Sequence, residues 1–381
     1  MGCSSIAFSL SLVNCGDVPD FDFTRYHDLP EIKAYIVNTA KKNPDFVKLV
    51  KIGSSNDGRA LLGLKIGFPV NATDKRVVWL DGGNHAREWP AFHSNLFFIN
   101  ELVKNYERDE KITEYINNLN IYVFPVLNPD GFVFSRSSTV SLIRQWRKNK
   151  APENCTGFTA FKKNVCCDGV DLNRNYDFSF KQTNQPFNNP CSDEFQGPFP
   201  FSEPETAHQS LRRRGFESHS RQIIFYFDII DLNQFFVSFS AVRNFILSPE
   251  VKDKVDAVVS LHTHGQFFLL PYNDRRKHHP EDYAELEELA TKATTAIQAY
   301  RGTKYRLGTA ADLMGPATGG ATDWIKKNTS TKYVYVIELP PTLFTWFAFQ
   351  MRPHWLVPTA EETWLGVKVI IDQVLLESKL K

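Results

Sequence analysis

The chain has 381 residues, of which 42% are hydrophobic and 23% are charged, and its formal net charge is +1. This composition is typical of a globular enzyme, and the nearly balanced charge argues against a nucleic-acid partner. No apolar run is long enough to span a bilayer, so we predict no membrane span.

Strand-like and helix-like segments alternate along the chain. Apolar, strand-like runs occupy residues 77–83, 121–131, 255–265 and 333–339. Helix-like segments, with apolar residues spaced by three and four, occupy residues 91–105, 281–300 and 359–380. This alternation predicts an α/β fold: a single-domain α/β/α sandwich with a central mixed, largely parallel twisted sheet flanked by helices.

Candidate metal ligands stand at the ends of these strand-like runs. The string HAREW puts His85 and Glu88 three residues apart, and His262 lies near the end of the run at 255–265. A catalytic zinc takes about three protein ligands, and two histidines with one glutamate are a known set. Glu338, at the end of its own run, is then the candidate general base for the water that the metal activates. A lone His and Glu pair is more often solvated, but the carboxyl ends of strands converge in such sheets, which favours a zinc peptidase.

Further motifs carry a resemblance to a known family. The sequence resembles the zinc metallocarboxypeptidases of the carboxypeptidase A/B type, in their digestive branch, from about residue 21 to residue 381. The motifs, in family order, are NHAREW, NPDGF at 128–132, WRK at 146–148, GVDLNRN at 169–175, FSEPET at 201–206, SLHTHGQ, ATGGATDW at 317–324 and VPTAEETW. The resemblance implies one Zn²⁺ per chain and peptide or protein C-termini as partners of a monomeric enzyme.

The resemblance also implies roles for the substrate-facing residues. Arg147 would polarise the scissile carbonyl and steady the oxyanion, although by itself its basic surroundings would indicate a solvated face. Asn173 and Arg174 would grip the terminal carboxylate, because a guanidinium fork matches that group. Arg87 would be a further substrate contact. Thr322, at the base of the side-chain pocket, carries no charge and predicts a preference for neutral apolar or aromatic C-terminal residues.

Two positions depart from the family pattern. Gly315 stands where the family has a mobile tyrosine, and Pro340 stands where it has an arginine. Loss of the tyrosine predicts weaker substrate binding rather than loss of chemistry. The alternative function is therefore a catalytically weak or inactive, carboxypeptidase-like extracellular protein that binds peptide ends. Asp323, beside the pocket base, is interpreted as structural because the family carries it whatever its specificity.

The domain prediction has two unusual parts. Residues 1–20 form an N-terminal segment, and the catalytic domain at 21–381 is interrupted by an insertion at about 207–240 that the resemblance does not cover. The insertion changes abruptly from basic and polar to aromatic and apolar, which favours translated non-coding sequence over a functional lid or membrane-touching hairpin. Because the insertion is interpreted in this way, His208 and His219 within it are not predicted to be ligands. A third possibility is that the chain does not fold, since the insertion interrupts a helix.

The six cysteines are not spaced as a zinc cluster. The resemblance pairs Cys167 with Cys191, which favours an oxidising, extracellular compartment and a secreted protein. The N-terminus supports a signal peptide only weakly, because its apolar run at residues 5–13 has no preceding basic residue. Two further pairs are left open against reduced thiols: Cys155 with Cys166, and Cys3 with Cys15.

Overall fold

A mixed β-sheet forms the centre of the protein. The computed structural model describes residues 20–181, 183–206, 241–343 and 349–380. The strands in this part of the chain are β1 (Val47–Ser54), β2 (Ala60–Ile66), β3 (Arg76–Gly82), β4 (Leu119–Phe124), β5 (Asn154–Phe158), β6 (Lys163–Cys167), β7 (Val255–Gly265), β8 (Phe267–Leu270), β9 (Arg306–Thr309) and β10 (Tyr333–Thr342). Strands β5 and β6 form a separate hairpin, and the others form one sheet of eight strands.

The main sheet has the order β1-β2-β4-β3-β7-β10-β8-β9. The central strands β4, β3, β7 and β10 are parallel to one another, as are β8 and β9. Antiparallel pairs join β1 to β2, β2 to β4, and β8 to β10. The predicted mixed, largely parallel sheet is confirmed.

Helices cover both faces of this sheet. In the described residues they are α1 (Leu29–Lys42), α2 (Trp89–Asn105), α3 (Glu110–Asn118), α4 (Pro129–Arg136), α5 (Ser141–Arg144), α6 (Val242–Ile246), α7 (Tyr283–Arg301), α8 (Ala310–Leu313), α9 (Ala321–Asn328) and α10 (Leu356–Ser378). Helices α2, α7 and α10 match the three predicted helical segments. No helix in the described ranges has the length and apolar character that crossing a membrane requires.

Strand β10 shows how the layers are built. Its alternate residues Tyr335 and Ile337 are fully buried in the core that also contains side chains of α2, α7 and α10. Val334, which precedes Tyr335 and therefore faces the other side of the sheet, is buried in the opposite core with Trp324 of α9. Burying a large apolar side chain stabilises the fold by about 1.5–3 kcal/mol, so the strand is held from both faces. The α/β/α sandwich is confirmed.

The carboxyl ends of the parallel strands meet at one edge. Glu338 of β10 stands in register with His262 of β7, and the chain leaves β3 directly into HAREW. The prediction that the strand beginning at 121 continues to 131 was wrong: β4 ends at Phe124 and helix α4 begins at Pro129. Pro125 has no amide hydrogen to donate, so the strand ladder cannot continue through it.

Several predictions fall outside the described residues. These are the N-terminal segment apart from Asp20, the proposed insertion at 207–240, the pair Cys3 with Cys15, and the exclusion of His208 and His219. The domain boundaries therefore stay predictions.

Candidate active site

Three predicted metal ligands converge at the carboxyl edge of the sheet. His85, Glu88 and His262 are all buried, and one potential ligand atom from each lies within 4.8 Å of the others. His85 Nδ1 is 2.7 Å from Glu88 Oε1, and His262 Nδ1 is 2.9 Å from Glu88 Oε2. HAREW supplies two donors because it turns from the end of β3 into α2, and His262 comes from the neighbouring strand β7.

The donor set fits a zinc ion. The Nδ1 atoms of His85 and His262 lie 3.1 Å apart, with the carboxylate of Glu88 beside both. Two ring nitrogens and a carboxylate that face one point can share a cation, and this is a known zinc ligand set. Burial would raise the pKa of Glu88, but the two neighbouring histidines outweigh burial and hold it below its usual range.

Asp171 supports the ligand cluster and was not singled out from the sequence. It is fully buried, and its Oδ1 lies 3.1 Å from His85 Nε2. A carboxylate on the far nitrogen orients a metal-binding imidazole with its other nitrogen toward the metal. Burial opposes the ionised form, yet Arg147 and His85 hold the pKa of Asp171 well below its usual range. The only sequence signal was its place in GVDLNRN, two residues before Asn173.

Arg147 is tied to the same aspartate. Its Nε donates to Asp171 Oδ2 at 2.8 Å, and its Nη1 lies 3.9 Å from Glu88 Oε1. Asp171 therefore links a candidate ligand to the candidate oxyanion-binding group, so that both side chains are held by one buried carboxylate. This fixed orientation places the guanidinium of Arg147 beside the cluster of candidate zinc ligands.

Glu338 faces the cluster from β10. Its side chain is partly exposed to the adjoining cavity. Loss of surrounding water raises the pKa of Glu338 to about 8, and Glu88 adds to this rise while His262 and Arg147 oppose it. A carboxyl group poised near neutrality can both accept and return a proton.

One cavity of about 370 Å³ brings most of the candidate residues together. The predicted site residues among those that line it are His85, Arg147, Asn173, Arg174, Thr322 and Glu338. A larger cavity of about 590 Å³ lies beside Trp355 and Glu362 and contains none of these groups. The chemistry therefore places the candidate active site in the smaller cavity.

Part of the lining of this cavity is apolar. Leu269, Ala310 and Val336 line it, as does the buried Thr322. The carboxylate of Asp323 also borders the cavity, but it accepts hydrogen bonds from the backbone and side-chain nitrogens of Asn273, both at 2.8 Å. Burial raises the pKa of Asp323 to about 7. These contacts agree with a structural interpretation of Asp323.

Arg87 lies apart from the cavity. It is not among the described residues that line it. Its Nη1 donates to the carbonyl of Gln145 at 3.0 Å and to Asp193 at 2.8 Å, and its guanidinium lies 4.3 Å from the centre of the Phe349 ring. Its substrate contact stays a prediction.

The two departures from the family pattern fall in different places. Gly315 lines the candidate active site, and a Cβ there would meet nothing within 4 Å, although its φ of +146° disfavours other residues. Pro340 lines the larger cavity instead. The missing tyrosine therefore bears directly on the site.

Asn128 holds two site loops together. Its side-chain amide donates to the carbonyls of Asn84 and Lys148, both at 3.1 Å, and its Oδ1 accepts from the amide of Gly131 at 3.0 Å. Asn84 precedes His85, and Lys148 follows Arg147. The motif NPDGF thus positions the site without entering it, a role that the sequence did not predict.

The described residues form two disulfides. Cys167 bonds to Cys191, as the resemblance implied, and Cys155 bonds to Cys166, which the sequence had left open. The first bond fixes the start of the segment that carries Asp193 and Glu194.

An α/β sandwich with two histidines and a glutamate at the carboxyl edge of its sheet is the arrangement of a zinc hydrolase. The family model for zinc carboxypeptidases matches residues 32–366, and the chain belongs to this family. The prediction of a zinc metallocarboxypeptidase, a hydrolase related to the carboxypeptidase A and B types, is confirmed at the level of the family.

Individual relatives agree over most of the chain. Carboxypeptidase A2 of Rattus norvegicus is 34% identical over 93% of this chain and 72% of its own length. Carboxypeptidase B of Astacus astacus is 31% identical over 93% of this chain and 98% of its own length. The crystal structure of carboxypeptidase A from Helicoverpa armigera has a TM-score of 0.73 and 27% identity, over 94% of this chain and 76% of that one.

Proposed function

We propose that this protein is a zinc-dependent carboxypeptidase that removes neutral apolar or aromatic residues from the C-termini of peptides and proteins. His85, Glu88 and His262 would hold one Zn²⁺ per chain. The observation that carries this proposal is the convergence of that cluster with Glu338, Arg147 and Arg174 around one cavity.

The hydrolytic step rests on Glu338 and Arg147. Zinc, when bound, supplies a Lewis acid that lowers the pKa of water and polarises a carbonyl oxygen. Glu338 takes a proton from the attacking water and returns it to the leaving amine as the C–N bond breaks, since a carboxylate beside the zinc ligands can act first as a base and then as an acid. Arg147 donates to the carbonyl oxygen as negative charge develops on it, a contribution worth roughly a hundredfold in rate.

Selection for a chain end rests on Asn173 and Arg174. Both line the cavity, and the side-chain oxygen of Asn173 is held by the backbone amide of Ala321 at 2.9 Å. A guanidinium fork binds a carboxylate through two parallel hydrogen bonds. An internal peptide bond offers no such group, so the enzyme would act only at C-termini.

Selection of the terminal side chain rests on Thr322 and the apolar part of the cavity lining. Leu269, Ala310 and Val336 line the same cavity as Thr322, and the carboxylate of Asp323 already accepts two hydrogen bonds from Asn273. A buried basic side chain would need a free carboxylate, and a buried acidic one would need a cation. Phenylalanine and leucine suit this surface better than lysine or aspartate.

The setting would be extracellular, with the protein acting as a secreted monomer. The two disulfides support an oxidising compartment.

The test is a cleavage assay with peptides that end in Phe, Leu, Lys or Asp, followed by mass spectrometry. Loss of terminal Phe or Leu that stops with a zinc chelator supports the proposal. A C-terminally amidated Phe peptide and the Glu338→Gln variant are the controls, and neither combination should show turnover. Cleavage of Lys instead of Phe would contradict the assigned pocket.

The alternative is a protein that binds peptide ends without turning them over. Gly315 favours it, because the cavity lacks the tyrosine hydroxyl at that position. Saturable binding of the Phe peptide to a folded, zinc-loaded protein, with no loss of the terminal residue, would establish this alternative.

A further inference from the structure

Glu194 is an acidic side chain inside the candidate substrate cavity that the proposed chemistry does not use. It lines the cavity together with Arg174 and Glu338, and its side chain is 39% exposed. Glu194 lies three residues after Cys191, which is held by a disulfide, and its backbone amide donates to Ser192 Oγ at 3.0 Å. The segment is therefore anchored beside the cavity with this carboxylate directed at Arg174.

Three of the five N–H groups of the Arg174 guanidinium already donate within the protein. Its Nε and Nη2 donate to Glu194 Oε2 at 3.3 and 2.9 Å. Its Nη1 donates to the backbone carbonyl of Asn173 at 2.9 Å. A carboxylate that docks side-on against the Nε and Nη2 edge of an arginine uses the same two N–H groups that Glu194 holds.

The residue before Glu194 also pairs with an arginine. Asp193, next in the chain, bonds to Arg87 at 2.8 Å. Two consecutive carboxylates thus pair with two of the three arginines assigned to substrate. Asp193, however, is not among the described residues that line the cavity, whereas Glu194 is.

We propose that Glu194 sets the affinity of the enzyme for chain ends, by occupying the Nε and Nη2 edge of Arg174 until the terminal carboxylate of the substrate displaces it. This inference rests on the proposed function of Arg174. The displacement forms and breaks only hydrogen bonds. Competition from Glu194 lowers the affinity for every carboxylate that binds at Arg174. The hydrolytic groups keep their contacts when Glu194 is replaced, because its hydrogen bonds among the described residues go to Arg174 and Ser192, and it acts on Arg147 through its charge alone.

The test compares the zinc-loaded wild-type protein with its Glu194→Gln and Glu194→Ala variants. Calorimetric titration with N-acetyl-L-phenylalanine measures carboxylate binding, and N-acetyl-L-phenylalaninamide measures the contribution of the side chain alone. We expect both variants to bind the acid about fivefold more tightly, the scale of one partly exposed ion pair. Affinity for the amide should not change.

Kinetics give a second readout. With the Phe peptide, KM should fall by about the same factor in both variants while kcat stays constant, because ground-state and transition-state binding gain equally. Asp168→Asn is the matched control: it removes a partly exposed carboxylate that pairs with Lys150 at 2.6 Å outside the cavity lining. Neither KM nor acid binding should change in that variant.

Two results would overturn the inference while leaving the proposed function intact. Unchanged acid binding in both variants, with normal cleavage, would mean that Glu194 does not compete. Weaker acid binding would mean that Glu194 positions Arg174 instead of competing for it. If no variant bound the acid or cleaved the peptide, the carboxylate role of Arg174 and the inference would both be wrong.

Discussion

His262 lies at the centre of the ligand cluster, since its Nδ1 is within 3.1 Å of both His85 Nδ1 and Glu88 Oε2. We expect His262→Ala to lose the zinc, because two protein ligands remain where a catalytic zinc takes about three. Zinc content after dialysis, measured by mass spectrometry of the metal, gives the result. His279→Ala is the control, because His279 pairs with Asp312 and neither residue belongs to the ligand cluster or to the described lining of the cavity. Full zinc content in the His262 variant would refute the ligand assignment.

Asp171 offers a second test at the scale of one residue. Asp171→Asn keeps the size of the side chain but removes the charge that pairs with His85 and Arg147. We expect zinc affinity or turnover to fall by about 10- to 100-fold, the usual effect of losing such a supporting group. Competition with a chromophoric zinc chelator measures the affinity. The Asp168→Asn control should retain it, and equal affinities in the two variants would contradict the supporting role.

The sequence predicted the members of this site better than the contacts between them. His85, Glu88, His262 and Glu338 lie at or near the carboxyl ends of strand-like runs, so the rule that strand ends converge brought them together. Asp171 follows β6, which belongs to the separate hairpin and not to the main sheet. Its contacts depend on the path of the loop after β6, which neither periodicity nor spacing encodes.

At the scale of elements, Asn128 links the loop after β3 to the loop that carries Arg147. We expect Asn128→Ala to lower the free energy of unfolding by about 2–4 kcal/mol, because it removes a helix cap and leaves two buried carbonyls without a donor. Urea denaturation measures the change. The control is Asn118→Ala, which removes an exposed amide that bonds to the carbonyl of Glu114 at 2.7 Å. Equal losses in the two variants would argue against the linking role.

The strands of the parallel sheet were predictable from the sequence, but their exact ends were not. The parallel strands were predictable because a strand buried on both faces is apolar along most of its length, as in the fully buried β4, where Asn120 is the exception. The apolar pattern continues past Phe124 through Val126 and Leu127, which are also buried, so hydrophobicity alone did not mark the end of the strand. Backbone hydrogen bonding ended it, at a proline.

At the scale of the whole molecule, buried acids make stability depend on pH. Burial, with Glu203 nearby, raises the pKa of Glu205 to about 8. The folded state then holds a proton that the unfolded state releases near pH 4.5. This contribution to stability is fully present below about pH 4.5 and is lost as pH rises through 8. We expect Glu205→Gln to reduce the loss of stability between pH 5 and pH 8.5 by up to about 3 kcal/mol.

Urea midpoints at the two pH values measure this effect. The control is Glu153→Gln at an exposed acid, which should keep the pH dependence of the wild type. If the Glu205 variant loses as much stability as the wild type between the two values, another group carries the pH dependence.

The residues just before 207 and just after 240 are hydrogen-bonded to each other as if they were neighbours in the chain. The amide of Ala241 donates to the carbonyl of Pro204 at 3.3 Å, and the amide of Val242 donates to that of Glu205 at 3.5 Å. With the segment removed, each bond would join residues three apart, as in one turn of a helix leading into α6. The hydrogen bonds at this junction therefore do not require residues 207–240.

We expect a variant that joins Thr206 directly to Ala241 to fold, bind zinc and cleave the Phe peptide. Its free energy of unfolding should rise by up to about 3 kcal/mol, because closing a long loop costs entropy. Circular dichroism, zinc content and urea denaturation measure these outcomes. A second variant, with a glycine-serine linker of equal length, separates the effect of loop length from that of the natural sequence. If the direct join unfolds while the full chain folds, residues 207–240 supply contacts that the enzyme needs, and their interpretation as translated non-coding sequence is wrong.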